Sequence, residues 1–168
     1  MSRKRCHRRV VVPLPPRGLR PMLVRDQVRD LAICHLQTLD CLVRGTPTEA
    51  TLWDLVGAVL TWSRAADLTG RHVDEMRAQL ELATRVVERY GRTGRIGLTG
   101  VEYQAARLGV EVMDDLAETI DRPTAVAAAD WGEARLQELV ARQGAGRRAA
   151  EGGPLERPVS RLVDERAE

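Results

Sequence analysis

Phenylalanine is absent from this 168-residue sequence, and aromatic residues of all kinds make up 3% of it. A core without aromatics is filled by Leu, Val, Ala, Ile and Met, a mixture that favours helices over sheets. Cysteine is scarce as well. The three, Cys6, Cys34 and Cys41, are too few and odd in number for a disulfide framework. No apolar run approaches the ~18–20 residues that span a bilayer. The start is charged, but Val10–Val12 is cut off by Pro13, Pro15 and Pro16, so no secretory apolar stretch follows. A cytoplasmic location is expected.

Catalytic patterns are equally thin. There are three histidines, His7, His35 and His72, and no nucleophile elbow, HExxH motif or repeated DxD pattern. The pair Asp114-Asp115 sits on a helical stretch, where adjacent side chains splay apart, so it reads as a solvated face. No catalytic residue, metal ligand set or cofactor is expected, and the protein is read as a binder rather than an enzyme.

Negative charge is missing from the front of the chain. Arg3, Lys4, Arg5, Arg8, Arg9, Arg17, Arg20 and Arg25 are the eight basic groups of the first 25 residues, and the first acid is Asp26. Of the 26 basic and 24 acidic residues, 18 and 24 fall in the remainder, so a cationic arm precedes a body of net charge −6. Arg far outnumbers Lys. A GC-rich genome also produces that mix, so no single Arg carries much weight.

What is present is an apolar fraction of 43%, enough for a real core without disulfides or metal. The expected architecture is all-α: a bundle of about five helices over residues 22–143, an extended basic Pro-rich arm over 1–21, and a disordered tail over 144–168. Pro13, Pro15, Pro16 and Pro21 remove backbone donors and forbid a continuous helix in the arm. A first helix is expected from Met22 to Val43, with Leu23, Val28, Leu31, Leu39 and Leu42 at helical spacing and Gly45 as its stop. Thr46-Pro47-Thr48-Glu49 reads as a capping box opening the second, whose apolar face is Leu52, Leu55, Val56, Val59 and Leu60. The third spans Val73 to Tyr90 on a stripe of Val73, Met76, Leu80, Ala83, Val86, Val87 and Tyr90, with Gly91 as C-cap. Thr99-Gly100-Val101-Glu102 is another capping box, opening a fourth helix that runs to Ile120. Asp121-Arg122-Pro123-Thr124 breaks it and starts an Ala-rich fifth, to about Gln143.

Four features bear on binding. The arm, with Arg3, Lys4, Arg5, Arg8 and Arg9, suits a nucleic-acid backbone: each cation that neutralises a phosphate releases counterions. The same residues also fit a solubilising tail. The loop from Arg92 to Leu98 combines glycines with Arg92 and Arg95 ahead of a helix start, where free amides and the positive dipole end favour an anion. Its spacing fits no phosphate-loop fingerprint, and a plain connector is the simpler reading. Ala66, Gly70 and Met76 echo a helix-turn-helix, but Thr69 and Gln79 stand where that motif wants apolar residues, which favours an ordinary turn. Cys34, His35 and Cys41 do not converge as zinc ligands must; the cysteines read as buried small apolar residues.

The start Met1-Ser2-Arg3-Lys4-Arg5 with its Pro-rich sequel resembles a group of small proteins from phages and prophages of proteobacteria. So do Leu60-Thr61-Trp62-Ser63-Arg64, Tyr90-Gly91-Arg92-Thr93-Gly94-Arg95 and Asp121-Arg122-Pro123-Thr124. Members are often labelled Fis-type transcriptional regulators. The resemblance, over roughly residues 1–140, implies a phage context more than a mechanism. Fis-type proteins read DNA with a C-terminal helix-turn-helix. Residues 134–168 offer no second recognition helix, so no DNA-reading residue carries over. The expected function is a non-catalytic phage or prophage accessory that contacts nucleic acid through Arg3, Lys4, Arg5, Arg8, Arg9, Arg92 and Arg95. The alternative is a protein-binding module, such as an inhibitor of a host protein.

Overall fold

The computed structural model describes residues 22–44 and 47–151. Five helices follow in order: α1 (Arg25–Arg44), α2 (Glu49–Thr69), α3 (Val73–Thr93), α4 (Gly100–Thr119) and α5 (Arg122–Glu151). Among the described residues there is no strand, only an isolated antiparallel bridge between Met22 and Asp121. None of these helices is long and apolar enough to cross a membrane.

The helix ends follow local hydrogen bonding. Thr99 accepts from the Glu102 amide while the Glu102 carboxylate accepts from the Thr99 amide, which completes the expected capping box on α4. The start of α2 differs from the sequence reading. The cap is Thr48, which accepts from the Thr51 amide at 3.2 Å, and Glu49 instead receives the Trp53 indole N–H at 3.3 Å. Thr46 lies outside the described residues. The end of α3 differs too. Gly91 is helical, and the left-handed cap is Gly94 (φ 66°), whose N–H reaches the Tyr90 carbonyl. Arg92 therefore belongs to the last turn of α3, not to a loop. At the other terminus, α5 extends to Glu151. Residues 152–168 lie outside the described residues, as does the arm, 1–21.

The packing is an up-and-down four-helix ring with a fifth helix outside it. α1 packs on α2 and α4, and α3 packs on the same two, which closes the ring. α5 lies along the outer face of α2. α2 is thus covered on both sides, which is why Leu52, Leu55, Val56, Val59, Leu60, Trp62, Ala65 and Ala66 are all buried and its apolar residues run all round it. The α2–α5 approach is close. At Gly132 a Cβ would collide with the Thr61 hydroxyl and lie 3.1 Å from the Thr61 Cα and amide nitrogen.

The inward faces are mostly the expected ones, with a rotation on α3. Met76, Leu82, Ala83, Val86 and Tyr90 are buried, while Leu80 is only partly so. Gln79 takes part in the core: its amide donates to the Ala105 carbonyl on α4 at 3.0 Å, in space left open by Gly109. A buried amide is tolerated there because its donor is satisfied.

Candidate functional site

The ring has two ends. At one, Met22 pairs with Asp121 and the Gly70-Arg71-His72 turn meets Asp115. At the other, the Gly97 backbone lies near the Leu42 carbonyl, and Gly91 faces Gln143. Met22, which follows the arm in sequence, thus stands at the first end, whereas Arg92 and Arg95 sit at the second, both exposed. A 21-residue helix such as α3 spans ~31 Å at ~1.5 Å per residue, which sets the distance between them. Arg3, Lys4, Arg5, Arg8 and Arg9 lie outside the described residues.

The loop between α3 and α4 holds itself together. The Arg89 guanidinium forms a two-pronged pair with Glu102, at 2.6 and 3.0 Å, and donates to the Gly97 carbonyl at 2.6 Å. The Arg89 bond holds the Glu102 carboxyl well below its ordinary 4.5, at about 2, against the opposing pull of desolvation. The α4 N-terminus is accordingly occupied by a carboxylate of its own chain. An incoming anion would meet that charge, so the connector reading fits this loop better than a phosphate cradle. Arg44, Arg92 and Arg95 remain at its rim, with Arg44 paired to Asp40 at 3.0 Å.

The helix-turn-helix echo resolves into a structural turn. Gly70 (φ 72°) and His72 (φ 54°) both adopt left-handed backbone. His72 is an uncommon non-glycine case. Its ring nitrogen lies 2.7 Å from an Asp115 oxygen, which also accepts from Arg71 at 2.9 Å. The first turn of α3 carries Asp74 and Glu75, charges that repel phosphate where a reading helix would meet DNA. Asp114, the neighbour of Asp115, is pushed upward by burial and then by Glu118 and Glu111.

No family model, curated protein or solved structure matches the chain.

The cysteine expectation is overturned. Cys34 and Cys41 are exposed, because the α1 face they share looks into a groove rather than into the ring. No group of ligands able to hold a metal occurs among the described residues. His35 turns inward instead. Its Nε2 accepts from the Trp62 indole at 3.2 Å, and burial lowers its pKa. The tautomer that accepts at Nε2 carries its proton on Nδ1, which is buried and has no hydrogen-bond partner.

Sequence reasoning missed the grooves that flank α5. Between α1 and α5, over α2, lies a cavity of about 380 Å³ walled by Leu23, Leu31, Trp62, Ala65 and Ala128. It shares His35, Gly57 and Ala58 with a second hollow of about 600 Å³ toward the loop end, where Cys34, Cys41, Trp53 and Asp54 appear. On the other flank, between α5 and α3, a third hollow of about 690 Å³ is floored by Leu60 and edged by Trp131. The signal was the Ala run at residues 125, 127, 128 and 129, since short side chains cannot fill the space beside a helix.

Proposed function

We propose that the protein is a non-catalytic accessory or regulatory factor that contacts nucleic acid through its basic arm. A phage or prophage setting is the context that the sequence resemblance implies, with the cytoplasm as the default location. The observation that carries this reading is the polarity of charge: eight basic groups and no acid in residues 1–25, ahead of a body with 18 basic and 24 acidic residues. Such an arm binds phosphates without reading bases, because backbone contacts position a protein but carry no sequence information. Arg92 and Arg95 add exposed cations on the body, whereas Arg89 is committed to Glu102.

A second reading, a protein-binding module, draws support from α4. Val101 and Leu108 are 82% and 61% exposed and lie seven residues apart on one face of that helix. Exposed apolar residues that share a face suit a protein contact.

The test is duplex DNA binding by the full chain and by a chain lacking residues 1–20, over a range of salt. The full chain is expected to bind without sequence preference, with a log–log salt slope of about 0.9 per phosphate neutralised. The shortened chain is expected to lose binding and keep its helical circular dichroism. Equal binding by both would remove the arm from the interface. Absence of binding by either would leave the protein-contact reading in its place.

A further inference from the structure

The groove between α1 and α5 runs along the bundle from the end that bears Met22 to the end that carries Arg92 and Arg95. We propose that this groove is the docking site of the chain's own segment 10–16, and that docking delivers Arg3, Lys4, Arg5, Arg8 and Arg9 to the end of the bundle that bears Arg92 and Arg95. The delivery of charge rests on the nucleic-acid reading; the docking does not.

Position comes first. Leu23, just after the arm in sequence, is itself a wall of the cavity. The segment that precedes it in sequence therefore has the groove's mouth within reach. Gly18 and Pro21 are turn-forming residues, suited to sending the chain back antiparallel to α1.

Length comes second. With residues 17–21 taken up by the turn, residues 10–16 in a polyproline path at ~3.1 Å per residue cover ~22 Å. α2, which floors the groove, has 21 residues and spans ~31 Å at ~1.5 Å per residue. A docked segment therefore covers about two-thirds of the groove, and Arg9 to Arg3, ~22 Å more in the same path, extend to the far end. Without docking, nothing in the fold directs the arm toward Arg92 and Arg95, which stand a helix length from its root.

Chemistry comes third. Val10-Val11-Val12-Pro13-Leu14-Pro15-Pro16 is the apolar part of the arm. Three of its seven residues are prolines, which bring no N–H to be left unsatisfied in an apolar groove. Proline-rich segments bind along aromatic-lined grooves, and Trp62 and Trp53 stand in the two parts of this one. Asp54, exposed at the loop-end part, places a negative charge where the basic residues would arrive.

The exposed cysteines supply the readout. Counted along α1, Cys34 lies opposite the expected path of Val12, and Cys41 lies nearer Arg9. Alkylation of Cys34 and Cys41 is to be compared in the full chain and in the chain lacking residues 1–20. Docking is expected to give a several-fold rise in the rate at Cys34 on deletion, with circular dichroism unchanged. In a second measurement, a Val12→Cys, Cys6→Ser chain is incubated with oxidised glutathione. The expected product is a disulfide between position 12 and Cys34 within one chain, formed at a rate independent of protein concentration.

Equal alkylation rates in the two chains, or linkage only between chains, would overturn the proposal. Protection that survives the deletion and vanishes when residues 152–168 are removed would assign the groove to the C-terminal segment instead. Protection lost on dilution would assign it to a second copy. Duplex binding is scored separately. Docking without DNA binding would remove the function and keep the groove's occupant, and DNA binding without docking would do the reverse.

Discussion

The two faces of α2 are covered in different ways. Toward the ring, α2 meets helices armed with Leu, Val and Met, and the contacts leave Leu52, Ala66 and Leu116 with no exposure. Toward α5 it meets a helix that presents Ala and Gly at the contact. There the backbones come close along one narrow strip, through Gly132 on Thr61 and Gly57 beneath Leu136, and grooves open on both flanks. Side-chain size decides whether a helix seals its neighbours' gaps or only touches along a line. The ring is therefore filled by large side chains, whereas the α5 contact leaves open surface on both flanks.

The sharpest way to break this comparison is to cut one leucine from each face. Leu52→Ala on the ring side is expected to cost about 2–5 kcal/mol, as a fully enclosed leucine does. Leu139→Ala on α5, only partly buried beside the third hollow, is expected to cost clearly less. Equal costs in urea unfolding would mean that α5 is as firmly packed as the ring.

Gly132→Val tests the strip itself. Its Cβ has no room against Thr61, so overpacking is expected to cost about 1–3 kcal/mol and to loosen α5 while the ring persists. Hydrogen exchange that rises along α5 alone would show this; uniform loosening would show that α5 and the ring unfold as one.

Glu102→Gln probes the polar tie between α3 and α4. Loss of a charge-assisted bond from Arg89 is expected to cost about 1.5–3 kcal/mol at neutral pH. The sign follows from the depressed carboxyl. Stability from Glu102 is fully present above the ordinary value of 4.5 and is lost as pH falls toward about 2. The gap between native and variant proteins in acid titration should therefore close over that window. A gap that stays constant would mean the carboxylate's charge is not what matters. The smaller effects come last. Thr48→Ala should cost about 0.5–2 kcal/mol through the lost cap. Arg64→Ala, which removes a cation 5.7 Å over the Trp131 ring, should cost about 0.5–1 kcal/mol.

Much of the fold was legible along the chain because helix starts and stops depend on neighbours three or four residues away. The Thr99–Glu102 box is such a signal, complete within four residues. Where two local signals compete, sequence alone does not choose between them. Thr46 and Thr48 both precede Glu49, and Gly91 and Gly94 both follow Tyr90. Choosing between them depends on how far the packed face extends, since Tyr90, buried at 5% exposure, holds the last turn of α3 in place beyond Gly91.

By itself, then, the sequence determined five helices, their order, the core's aliphatic character and the separation of a cationic arm from an acidic body. These follow from composition and from hydrogen bonds that close within one turn. Only the tertiary structure decided which helix would lie outside the ring, that Cys34 and Cys41 would face a groove, and that Gln79 would find a carbonyl on α4. It alone decided that Arg89 would be held by Glu102, and that Arg92 and Arg95 would stand a helix length from the arm's root. Each of these depends on a partner brought close by chain reversal, and periodicity along one helix says which face is apolar without saying what will cover it.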